Sequence, residues 1–69
     1  MKITIREFDY RISLVKPNFF YGAISYAEAK QEIKDVTTAA IAYYKQKANE
    51  IKRRARSATR EVERIERYA

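Results

Sequence analysis

Residues 3–14 read ITIREFDYRISL, and whether this stretch is strand or helix decides the fold. Apolar residues fall at Ile3 and Ile5, then on the other parity at Phe8, Tyr10, Ile12 and Leu14. Alternation at period two in β-branched and aromatic residues predicts a strand. The change of parity at Arg6 and Glu7 predicts a bulge or short turn inside it. KPNF at residues 16–19 presets a turn, with Pro17 at its second position and Asn18 at its third. A second strand, from about Phe19 to Ile24, would then return antiparallel. Residues 1–24 are thus expected to form a β-hairpin, which is not stable alone in water and needs a cover on its apolar side.

Downstream the pattern changes. SYAE at residues 25–28 has the form of a capping box, in which Ser25 and Glu28 satisfy each other's backbone N–H groups. From Tyr26 to Ala69 there is no glycine or proline, and strong helix formers dominate. A single helix over residues 25–69 is expected, with weak interruption points at DVTT (35–38) and RSAT (56–59), where short polar side chains compete for backbone hydrogen bonds. At full length it would span about 66 Å, too far to fold back on a small hairpin.

Along this helix Ala29, Ile33, Val36, Ala40, Tyr44 and Ala48 form a globular amphipathic stripe. Ala48, Ile51, Ala55, Ala58, Val62 and Ile65 then step by three and four in strict alternation, the spacing of a coiled-coil seam. Between them AAIAYY (39–44) is apolar in every direction, as expected of a segment covered on two sides. The expected architecture is α+β: an N-terminal antiparallel hairpin, then a long helix whose C-terminal half pairs with another copy. A chain of 69 residues buries only about 60% of its unfolded surface, which also favours a homodimer or larger homo-oligomer.

The chain carries a net charge of +6, all of it within residues 45–60. There Lys45, Lys47, Lys52, Arg53, Arg54, Arg56 and Arg60 face Glu50 alone, while eight basic and eight acidic residues balance elsewhere. Such a concentration suits nucleic-acid phosphates or an acidic protein surface. A solvated coil exterior would mix its signs, as residues 61–67 do, and like charges four apart, such as Arg56 and Arg60, cost helix stability that a bound anion recovers. A basic run before heptads is also the plan of leucine-zipper factors. Here, however, alanines interrupt the basic run at seam positions, no leucine follows Leu14, and about one heptad remains.

Nothing points to a reaction. The chain has no cysteine and no histidine, which removes thiolate and imidazole chemistry and the usual zinc ligand sets. Glu28, Glu32 and Asp35 follow helical spacing, but Lys30 and Lys34 lie close by and one helix face offers too few ligands for a cation. No cofactor or metal is expected, and the chain is read as a non-enzyme. The longest uncharged run, Pro17 to Ala27, is eleven residues, too short for a membrane span, and a cytoplasmic location is expected. Six tyrosines and three phenylalanines are assigned mostly to core or subunit contacts, with base stacking as a further use.

The leading expectation is a small non-enzymatic binding protein, of the kind carried as accessory proteins by phages and mobile elements, whose dimer presents basic helices to nucleic acid. The alternative is an inhibitor or adaptor that docks its basic helix and exposed aromatics on an acidic protein surface.

Overall fold

The computed structural model describes residues 3–68, and ITIREFDYRISL proves to be helical. Thr4 caps the first helix, α1 (Ile5–Phe20), its hydroxyl oxygen accepting from the Glu7 backbone N–H at 3.0 Å. Ile3, before the cap, and Phe8, in the first full turn, are buried in one cluster, so the chain's entry is stapled by an apolar contact. Ile5, Phe8, Ile12, Val15 and Phe19 step by three, four, three and four, and all pack toward the core. Tyr10 and Leu14, which a strand would place beside Phe8 and Ile12, are 63% and 38% exposed. The expected hairpin over residues 1–24, and with it the α+β class, is therefore corrected: Ile5–Phe20 is helix, the described residues hold no strand and the fold is all-α. The step of three from Ile5 to Phe8 is the helical period, not a bulge. Met1, Lys2 and Ala69 lie outside the described residues.

Pro17 belongs to the last turn of α1, not to a hairpin turn. The stop comes at Gly22, whose φ of 81° is open to glycine. The Ala23 N–H donates to the Asn18 carbonyl at 2.8 Å and the Gly22 N–H to the Phe19 carbonyl at 3.1 Å. These two bonds are the Schellman closure of a helix C-terminus.

The second helix, α2, spans Tyr26–Tyr43, and both bonds of the Ser25–Glu28 capping box are present. The Ser25 backbone N–H donates to the Glu28 carboxylate at 2.8 Å. That bond, and then the Ser25 hydroxyl, hold the Glu28 pKa below its ordinary value. The group's contribution to stability is therefore present above the ordinary glutamate range and is lost as pH falls through the lowered value.

The long helix expected over residues 25–69 is broken, though not at 35–38 or 56–59. Its break falls at Tyr44, with φ −120° and ψ 66°, followed by a short 3-10 turn at Lys45–Lys47, before α3 runs from Ala48 to Tyr68. The break lets the two apolar stripes, one on each half, face one another and α1. Ion pairs between residues 9 and 54 and between 16 and 61 advance together along the sequence, so α1 and α3 run parallel. The short connection between α2 and α3 sets those two antiparallel. The longest dimension is 37 Å, against about 66 Å for an unbroken helix.

The predicted coiled-coil seam is this bundle's own core. Ile51, Ala55 and Val62 are buried and Ala48, Ala58 and Ile65 half-buried. Ile51 packs with Ile3, Phe8, Val36 and Ala40 at one end; Ala55 and Val62 pack with Val15, Ala29 and Ile33 at the other. The stripe was legible, but its cover comes from α1 and α2 of the same chain, which removes the reason for expecting a partner helix there. AAIAYY is covered on two sides only in part: Ala39, Ala40, Ile41 and Tyr44 pack inward, while Ala42 and Tyr43 are exposed. No described helix is long and apolar enough to cross a membrane.

Candidate functional site

Three helices make three grooves, and their charge differs. Between α1 and α3, Arg54 donates from one guanidinium nitrogen to Asp9 and from the other to Glu50 at 2.8 Å, while Lys16 pairs with Glu61 at 3.3 Å. The Asp9 hydrogen bond, then its charge, raises the Arg54 pKa further above its already high value. Arg54 thus ties α3 to α1 and leaves the set of available cations. Between α1 and α2 the groove is lined by Glu28, Glu32 and Asp35 together with Arg11. Among the described residues no three carboxylates are placed to hold a metal ion.

The groove between α2 and α3 is the candidate site. It is an open trough of about 720 Å³ with Ala27, Ile33 and Ala55 along its floor. Lys30 and Lys34 rise from α2, Lys52 and Arg56 from α3, and no carboxylate lines it. These positions follow from the helical period. Lys30 and Lys34 sit one residue beyond the buried Ala29 and Ile33, and Lys52 and Arg56 one beyond the buried Ile51 and Ala55, so each pair flanks a core stripe. The antiparallel packing of α2 on α3 brings the two flanks together. Lys30 is partly engaged, 3.7 Å from Glu63 at the groove's end and 5.2 Å from the Tyr26 ring centre. Lys34, Lys52 and Arg56 have no ion-pair partner among the described residues.

The hydroxyls of Thr37 and Thr59, also in the trough, donate to the carbonyls of Ile33 and Ala55, at 2.5 and 3.0 Å. Their donors are spent, but each oxygen can still accept.

Of the basic residues singled out in the sequence, Lys52 and Arg56 line the trough, while Arg53 and Arg60 stand exposed on the adjoining outward side of α3. Lys45 and Lys47 lie exposed on the 3-10 turn and do not line it. Lys30 and Lys34 are the additions. Their signal was present as a lysine pair four apart beside a core stripe, but on one continuous helix nothing would bring them to residues 52–56.

No protein-family model, curated protein or solved structure matches the chain.

Proposed function

We propose that the protein binds nucleic-acid phosphates through the α2–α3 trough and the outward side of α3. The observation that supports this most is the segregation of charge: four cations from two helices line one groove without a carboxylate, while the acidic side chains of α2 line another. Three of the four cations, Lys34, Lys52 and Arg56, have no ion-pair partner among the described residues, and such cations gain by releasing the counterions condensed on a phosphate backbone. The cationic surface also continues past the trough to Arg53 and Arg60, both exposed, which suits a strand of phosphates better than a single anion; beyond them Arg64 and Arg67 are interspersed with Glu61, Glu63 and Glu66.

The apolar floor at Ala27, Ile33 and Ala55 favours a second reading, an acidic amphipathic helix of another protein laid into the groove. Salt dependence separates the two. For nucleic acid, the logarithm of affinity falls linearly with that of salt, by about 0.9 per phosphate on a duplex and about 0.7 on a single strand. Arg56→Gln is expected to make that slope shallower by about one unit, whereas Arg54→Gln, whose charge is occupied by Asp9 and Glu50, leaves it unchanged. Fluorescence anisotropy with labelled oligonucleotides over a salt series reads both. No binding at about 50 mM salt would sink the nucleic-acid reading.

A further inference from the structure

At the end of the bundle where α1 and α3 both finish, three aromatic rings face solvent: Phe20, Tyr21 and Tyr68 are 64%, 82% and 81% exposed. Phe20 and Tyr68, with Arg64 and Ile65, bound a cleft of about 350 Å³, near the lower end of the size of small-molecule pockets. The Tyr21 ring stands edge-on to Phe20 at 5.1 Å. A small chain with a core this lean has every reason to bury such rings, yet they are held open beside a guanidinium.

The outward side of α3, cationic as far as Arg60 and carrying Glu63 and Glu66 beside Arg64 and Arg67 beyond it, leads to this end. Arg53, Arg60 and Arg67 are seven apart and so lie nearly in line, a track of about 21 Å. Arg64 sits beside that line and joins it to the ring cleft. An arginine track ending at exposed ring faces is the arrangement that holds a nucleotide strand by its phosphates and stacks its bases. A duplex keeps its bases stacked on each other and has no free base face to offer.

We propose that the protein prefers single-stranded nucleic acid, with one unstacked base held in the Phe20–Arg64–Tyr68 cleft. The inference rests on the phosphate reading above and adds the class of strand.

The test compares the full chain with the Phe20→Ala/Tyr68→Ala double variant, using labelled oligothymidylate and a duplex of the same length as probes. Both rings are mostly exposed, so circular dichroism should be unchanged; Tyr68→Ala alone, in the last turn of α3, serves if the double variant is not folded. The wild type should bind the single strand more tightly, and the double variant should lose about five- to a hundredfold on it. Its duplex affinity and its salt slope should not move, because no charge is removed. Tyr68→Trp should retain single-strand binding, and tyrosine emission should be quenched on adding oligothymidylate to the wild type. Equal affinity for both probes, or a double variant that binds the single strand as the wild type does, would overturn the stacking inference and leave the phosphate reading standing. Failure of the wild type to bind either probe at about 50 mM salt would overturn both.

Discussion

Replacing Ile51 with aspartate is expected to unfold the protein. Ile51 is 1% exposed and packs with Ile3, Phe8, Val36 and Ala40, so it joins all three helices at one end of the bundle. Truncating such a side chain costs about 2–5 kcal/mol, and an unpaired buried carboxylate adds to that. A domain of this length has a total stability of only about 3–10 kcal/mol, so little folded protein should survive. Far-ultraviolet circular dichroism and thermal melting should show loss of helix and of the cooperative transition. Arg53→Asp, two positions on and exposed to solvent, should cost about 0.5 kcal/mol or less. A cooperative melt for Ile51→Asp, with only the sedimented mass reduced, would mean that the stripe faces another chain.

Charge reversal in the trough should have the largest effect on binding. Lys34 and Arg56 face the α2–α3 groove from opposite helices, and neither has an ion-pair partner among the described residues. Lys34→Glu/Arg56→Glu should leave the fold intact, since both side chains are exposed. By counterion release, each phosphate that is no longer neutralised costs roughly a factor of eight at about 0.1 M salt. The double variant leaves two phosphates without their cations and sets two carboxylates against them, so binding should weaken on the order of a hundredfold or more. The control, Lys45→Glu/Lys47→Glu on the exposed 3-10 turn outside the trough, changes net charge by the same amount and should weaken binding far less. Equal losses in the two variants would point to net charge alone and against a located site.

The parts of the fold that could be read in the sequence were those marked by local chemistry. The Ser25–Glu28 box starts a helix where its residue types require one, and the buried positions at 29, 33, 36, 40, 51, 55 and 62 are those of the two apolar stripes. The N-terminal quarter failed because Phe8, Tyr10, Ile12 and Leu14 satisfy period two as well as Ile5, Phe8, Ile12, Val15 and Phe19 satisfy period 3.6. The deciding signals were Thr4 with Glu7 at one end and Gly22 at the other, a cap and a stop suited only to a helix. The break at Tyr44 has no glycine or proline to announce it. It lets two stripes on one chain cover each other and α1, which an unbroken rod could not do without a second copy, a tertiary demand that overrides propensity.

The candidate site divided in the same way. The excess of cations at residues 45–60 was legible, and Lys52, Arg53, Arg56 and Arg60 stand exposed as a contact surface requires. That Arg54 is taken by Asp9, and that Lys30 and Lys34 join the groove, depends on helix packing and could not be read from spacing along one helix.

The proposed phosphate surface is tested most directly by nuclear magnetic resonance. Backbone amide shifts of this chain, titrated with a short oligonucleotide at low salt, should change most around residues 30, 34, 37, 52, 56 and 59, on the two walls of the α2–α3 trough, and along the outward side of α3 toward Arg67. Residues 28, 32 and 35, which line the opposite groove with Arg11, should barely move. Shifts centred on that acidic groove, or confined to the Phe20–Tyr68 end with none in the trough, would contradict the assignment of the trough as the phosphate-binding surface.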